Sequence, residues 1–192
     1  MTGFIDALFG DLSASVEAAR SQGARLAEAA GLVAESLARG GTILICGNGG
    51  SAAEAQHFAA EFVGRFLAER PGLPAVSLAA DSSKLTAIGN DYGFEEVFAR
   101  QVRALGRPGD VLWAMSTSGT SPNVISALKA AREKGLKTIY MCGRSLADAG
   151  LADVVIFSPA PTTPRIQELH LFYGHAVCEL ADRILFSAEE KP

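Results

Sequence analysis

Five short apolar runs with helix-like stretches between them constrain the fold of this chain more than any other feature. They are TILIC (42–46), PAVSLA (74–79), DVLWAM (110–115), KTIYM (137–141) and DVVIF (153–157). Each is apolar at successive positions, so both faces of the strand must be covered. Strands of that kind, alternating with helices, build a parallel sheet between two helical layers. The expectation is a doubly wound α/β protein: a three-layer αβα sandwich on a five-stranded parallel sheet. Two helical segments, FIDALFGDLSASVEAA and GARLAEAAGLVAESLARG, come first. They divide a single domain, 1–192, into a helical segment (1–40) and a core (41–192). At 48% hydrophobic residues the chain is apolar enough to fill one core.

Charge and cysteines exclude several classes. A formal charge of -4 argues against nonspecific nucleic-acid binding, which needs a clustered basic surface. The start, MTGFIDALFGDL, carries acids where a secretory signal needs positive charge. No apolar run approaches the roughly 20 residues that cross a bilayer. A cytoplasmic protein without nucleic-acid or membrane partners is expected. Cys46, Cys142 and Cys178 lack the paired spacing of a zinc ribbon or redox motif and read as buried reduced thiols.

In a parallel α/β sheet, ligands collect beyond the carboxyl ends of the strands, and two small-residue loops fall there. STSGTSP follows VLWAM, with Ser121 placed as a helix N-cap and Pro122 as the first helical residue. Small residues let backbone N–H groups approach an anion, hydroxyls add donors, and the helix start adds partial positive charge. Such a loop can hold a phosphate monoester without any lysine or arginine. A tight, well-capped βα turn fits the same residues. The other loop, CGNGGSAAEAQ, follows TILI and matches a dinucleotide fingerprint at Gly47, Gly49 and Ala52. The acidic residue which that fingerprint expects about 20 positions on is not in place, because Asp81 lies well beyond.

Residues capable of chemistry fall on two helices. In SAAEAQHFAAEFVGRF, positions 55, 58, 59, 62 and 66 form an apolar face, and His57, Glu61 and Arg65 repeat every four residues on another. An exposed helical charge pair would give the same spacing. The second helix is expected to be capped at Thr163 with Pro164 first. It carries Gln167 and His175 two turns apart, with Gly174 leaving room beside the histidine. His170 sits off that line and reads as structural. Imidazole and carboxylate suit zinc, so His57, Glu61, Gln167 and His175 form a candidate donor set.

Taken in order, GNGGSAAEAQHFAAEFVGRF, LTAIGNDYGFEEVFARQV, STSGTSPNV and RIQELHLFYGHAVCELAD resemble the sugar isomerase (SIS) family, and within it the phosphoheptose isomerases. The resemblance runs from about Gly23 to Phe186. It implies a flavodoxin-like SIS fold and the interconversion of sedoheptulose 7-phosphate and D-glycero-D-manno-heptose 7-phosphate. That reaction opens nucleotide-activated heptose biosynthesis, for lipopolysaccharide or another glycoconjugate. It implies further that Ser116, Thr117, Ser118 and Ser121 bind the phosphate. Asn48, Gly49, Gly50, Ser51, Arg65, Asn90, Asp91 and Gln167 would line the sugar, Glu61 among them. Glu61 and His175 match the acid/base pair. In some members the positions of His57, Glu61, Gln167 and His175 bind one zinc ion per subunit.

Aldose-ketose isomerisation moves a proton between adjacent carbons through an enediol, which needs a base at carbon and a proton donor or metal at oxygen. Glu61 is expected as the base and His175 as the oxygen-side partner. Other SIS proteins are non-catalytic sugar-phosphate sensors, and relatives of the heptose isomerases tether the bacterial replication initiator without the glutamate and histidine. The resemblance also implies a homotetramer with shared sites. The apolar stripe Phe4, Ile5, Leu8, Phe9 and Leu12 is the expected contact, the alternative being that it packs back onto its own chain.

Overall fold

The computed structural model describes residues 1–143 and 150–186. Two helices lead, α1 (Thr2–Ala19) and α2 (Gly23–Ala38), joined by a 3₁₀ turn at Arg20–Gln22. Then follow β1 (Ile43–Cys46), α3 (Gly50–Val63), β2 (Ala75–Ser77), α4 (Ser82–Tyr92) and α5 (Ala99–Leu105). β3 (Val111–Ser116), α6 (Pro122–Glu133), β4 (Lys137–Cys142), β5 (Val154–Phe157) and α7 (Thr163–Phe186) complete the chain. The five strands form one parallel sheet in the order β2-β1-β3-β4-β5.

Alternate residues of the strands feed two separate cores, as the pleat requires. Ile43, Ile45, Trp113, Met115, Ile139 and Met141 pack with α2, α3 and α7 on one face. Leu44, Cys46, Leu112, Ala114, Tyr140 and Cys142 pack with α5 and α6 on the other. The three cysteines are free and buried, as expected. PAVSLA is a correction. It contributes only three strand residues, at the sheet edge, and Val76 there is 40% exposed. An edge strand has one neighbour and fewer covering elements, so apolar composition alone overstated its coverage.

Helix ends also differ in detail. α3 stops at Val63, so Arg65 lies beyond it and the expected three-residue stripe ends at Glu61. α7 begins at Thr163, and the Ile166 N–H donates to the Thr162 carbonyl at 3.0 Å, one residue earlier than the expected cap. α1 buries only Ser15 and Ala19, while Phe4 and Phe9 are 70% and 66% exposed. Four of the five stripe residues, Phe4, Ile5, Leu8 and Phe9, therefore stay exposed on this chain, while Leu12 is half-buried on a helix that meets α7. No helix among the described residues is long and apolar enough to cross a membrane.

Candidate active site

The order in which strands are added reverses between β1 and β3: from β1 the sheet grows first to β2 on one side and then to β3 on the other, all strands running parallel. Such a switch point opens a crevice at the carboxyl ends of the strands. The glycine loop leaves β1 there and the serine loop leaves β3, side by side. They are tied together by a pair of amides: Asn48 Nδ2 donates to Asn123 Oδ1 at 2.9 Å, and Asn123 Nδ2 returns a bond to Asn48 Oδ1 at 2.8 Å. Asn123, buried in the first turn of α6, was not singled out by sequence reasoning; a local pattern gives no sign of a partner in another loop.

In the serine loop the hydroxyls form a compact set. Ser116 Oγ lies 2.8 Å from Ser121 Oγ and 3.2 Å from Ser118 Oγ, and Ser118 Oγ accepts from the Thr120 N–H at 3.2 Å. Ser121 does occupy the N-cap position, with Pro122 next, but its side chain makes no cap bond because the hydroxyl turns to Ser116. The cap expectation is corrected to that extent, and the first N–H groups of α6 are left without that hydroxyl. Ser118 is exposed, Thr117 half-buried and Ser116 buried, so the set opens to solvent on one side.

The glycine loop is shaped by its neighbours. Gly49 has φ 55° and ψ -119°, a conformation that L side chains rarely adopt. A Cβ at Gly50 would stand 2.2 Å from Gln167 Nε2, so the missing side chain seats the α7 glutamine on the start of α3. A Cβ at Gly47 would meet Ser51, which is buried against it. These contacts account for the glycines without a pyrophosphate. Asp81 accepts from the Lys84 N–H at 3.1 Å as the cap of α4, so the acid considered for a ribose is engaged elsewhere.

Helices α3 and α7 pack against each other and carry the titratable groups. His57 Nε2 and His175 Nε2 are 2.7 Å apart, with ring centroids at 5.0 Å and an edge-on angle of 75°. Glu61 Oε1 stands 3.5 Å from His57 Nδ1. Phe66, just past α3, lies beside the His175 ring at 5.6 Å. The close approach of the helices depends on Gly174, where a Cβ would fall 2.0 Å from the Phe58 ring. This revises the expected reason for that glycine: the room it leaves is for Phe58, which stacks on Trp113 at 5.2 Å.

One turn nearer the strands sits a pair that includes another missed residue. His170 is fully buried, its Nδ1 is 3.9 Å from Glu54 Oε2, and both ring nitrogens lack a hydrogen bond of normal geometry. Burial pushes the Glu54 carboxyl up to about 7, opposed by the Ser51 hydroxyl. Burial pulls His170 down to about 4, opposed by the backbone at Cys142. His170 is structural in the sense expected, though it is polar and sits in the same helix seam. Glu54, His57 and Glu61 share one helical stripe at i, i+3 and i+7, the signal by which Glu54 could have been found.

Two sets of expected residues are not brought to this seam. Asn90 and Asp91 end α4, are exposed, and bond to each other at 2.8 Å. Arg65 reaches the Phe66 and Leu67 carbonyls and lies 3.6 Å from Glu69. Among the described residues, no hydrogen bond or ion pair connects any of the three to His57, Glu61, Gln167 or His175.

As donor types, imidazole and carboxylate suit zinc; here the two Nε2 atoms meet at 2.7 Å while Glu61 faces Nδ1 of His57. The described residues do not, however, gather three or more His, Cys, Asp or Glu into a closed cluster.

Comparison with known proteins places this arrangement in a family. The family model described as SIS domain matches residues 9–143. A phosphoheptose isomerase of Nitratidesulfovibrio vulgaris is 58% identical over 84% of this chain and 78% of its own length. One from Thiobacillus denitrificans is 50% identical over 96% and 98%. The solved phosphoheptose isomerase of Neisseria gonorrhoeae superposes with a TM-score of 0.88, at 47% identity, covering 94% of this chain and 98% of that one. The chain belongs to the SIS domain family and, within it, to the phosphoheptose isomerases.

Proposed function

We propose that the chain interconverts sedoheptulose 7-phosphate and D-glycero-D-manno-heptose 7-phosphate through an enediol. The observation that carries the reading is the meeting of Glu61, His57 and His175 in one seam between α7 and α3, the helix that starts from the glycine loop at the switch point. The serine loop takes the phosphate on its hydroxyls and backbone N–H groups. The phosphate then fixes the register of the sugar, so that the carbonyl end reaches the seam. Glu61 removes a proton from C1 of the ketose while the C2 oxygen gains one, giving the enediol. Return of a proton to C2 and loss of the O1 proton give the aldose, with no net change in composition. His175, in contact with His57, carries the proton between the two oxygens in this reading.

His57, Glu61, Gln167 and His175 would hold a zinc ion. When bound, it would supply a Lewis acid toward the sugar oxygens. A purely binding role would need neither a base nor a proton carrier, and both types are gathered here. We also place four copies in the working assembly. The exposed stripe of α1 supports this, as do Asn90, Asp91 and Arg65, which are exposed and make no hydrogen bond or ion pair to the seam of their own chain. The free, buried thiols fit a reducing cytoplasm. The decisive experiment incubates the purified protein with sedoheptulose 7-phosphate, with and without chelator, and separates the sugars. Formation of the heptose supports the reading, and its absence in both arms refutes it. Metal analysis of the purified protein tests zinc separately.

A further inference from the structure

A buried arginine lies just beyond the catalytic helix. Arg70, in the segment between α3 and β2, has a side chain only 3% exposed. Its Nη2 donates to the Glu61 carbonyl at 2.8 Å. Its Nη1 donates to the carbonyls of Phe62 at 2.8 Å, Pro71 at 3.1 Å and Gly64 at 3.2 Å. Its Nε donates to Asp182 Oδ1 of α7 at 2.9 Å.

The last four carbonyls of an α-helix have no partner within the helix, and helix ends fray. In α3 these belong to residues 60 to 63. The Gly64 N–H takes the Ala60 carbonyl and the Leu73 N–H shares that of Phe62. The guanidinium bridges Glu61 and Phe62, a task for its planar fork that a lysine ammonium cannot match. The Glu61 side chain thus projects from a residue whose own backbone is fastened. Asp182, the other end of the clamp, stands two helical turns from His175. Cys178, one turn from His175, feels the charges of Glu61, Asp182 and Arg70 together. The clamp and the base therefore belong to one region of the seam.

We propose that Arg70 and Asp182 are a positioning pair for catalysis: by fastening the last turn of α3 to α7 they hold the Glu61 carboxylate in register with His175. The inference rests on Glu61 being the base. A misplacement of 1 Å in a reacting geometry can cost about 10²-fold in rate, so a loosened last turn has a measurable consequence.

The test compares Arg70→Lys and Asp182→Asn with Glu61→Gln. Steady-state kinetics with sedoheptulose 7-phosphate, uptake of solvent deuterium at carbon, and thermal melting are followed for each. Asp182→Asn keeps an acceptor for the guanidinium and safeguards the experiment if Arg70→Lys folds poorly. The expected result is a kcat lowered about 10-fold in Arg70→Lys and less in Asp182→Asn, with KM within about 2-fold and deuterium uptake falling with kcat. An inactive Glu61→Gln beside clamp variants of unchanged kcat, even with lowered melting temperatures, overturns the clamp proposal alone. A fully active Glu61→Gln overturns the base assignment and the clamp with it.

Discussion

In the proposed reaction the seam between α3 and α7 and the serine loop after β3 serve the two ends of one sugar phosphate, and they are built in opposite ways. In the loop, the hydroxyls bond to one another within five residues: Ser116 meets Ser118 and Ser121, and Ser118 meets Thr120. In the seam, His57 meets His175 across 118 residues and Arg70 meets Asp182 across 112. A local cradle can lose one donor and keep its shape, since its neighbours are fixed by the turn. A seam assembled from distant elements depends on packing, and one added carbon at Gly174 would overlap Phe58. The anchoring end should therefore degrade in steps and the reacting end abruptly.

The largest break in that comparison is chemical. Glu61→Gln keeps the shape of the seam and removes its basicity, so kcat should fall by about 10²-fold or more while a phosphorylated inhibitor binds as before. His175→Gln should behave similarly. Turnover near the native rate in Glu61→Gln would take the residue out of the role of base.

A smaller effect sharpens the packing side. Gly50→Ala introduces a Cβ into the space of the Gln167 amide, the far end of a flexible side chain. Gln167 should swing aside at little cost in stability, and turnover should fall about 10-fold with a melting temperature close to native. A large loss of stability with the kinetics of the folded fraction unchanged would mean that Gly50 serves the fold and not the placement of Gln167.

What the sequence disclosed follows the same division. The five apolar runs and the serine loop were legible because strand burial and turn chemistry are written in neighbouring residues. PAVSLA misled because composition does not report whether a strand stands at an edge. His57 and Glu61 could be paired by helical spacing, yet extending the stripe to Arg65 failed, since Gly64 in FVGRF, a stop signal that outweighs the spacing, caps the helix after Val63. Asn123, Arg70 and the role of Gly174 were out of reach for a different reason: each takes its meaning from a partner brought near only by the fold. Gln167 and His175 could be set on one side of a helix by spacing, their roles came from the resemblance, and it is the structure that explains why a glycine faces Gln167.

In the loop, losses should be moderate and tied to the phosphate. Ser118→Ala or Ser121→Ala removes one hydroxyl, and a hydrogen bond to a charged group contributes on the order of 1.5–3 kcal/mol. Since neighbours compensate, sugar-phosphate binding should weaken at the low end, by about 10-fold. Because the Ser121 side chain makes no cap bond, its removal should leave the melting temperature nearly unchanged. Equal losses with phosphorylated and unphosphorylated sugar would assign the defect to folding.

The smallest effect should be in the pH dependence of stability, and it too separates the regions, because the four loop positions are serine or threonine and the seam buries Glu54 with His170. For His170, lowered from 6.5 to about 4, the unfolded chain binds more protons between those values, so stability rises with pH through that window. For Glu54, raised from 4.5 to about 7, the folded chain binds more protons, so stability falls as pH rises from 4.5 to 7. The two slopes oppose each other over most of their range, and the native protein should show little net change there from this pair. Each substitution uncovers one limb. Glu54→Gln should gain stability as pH rises from about 4 to 6.5, and His170→Asn should lose it from about 4.5 to 7. Urea midpoints at several pH values measure both, with Ser118→Ala as the loop reference that should keep the native profile. Parallel profiles for all four proteins would show that Glu54 and His170 are not held neutral in the seam, and that its polar pair is as open to solvent as the loop.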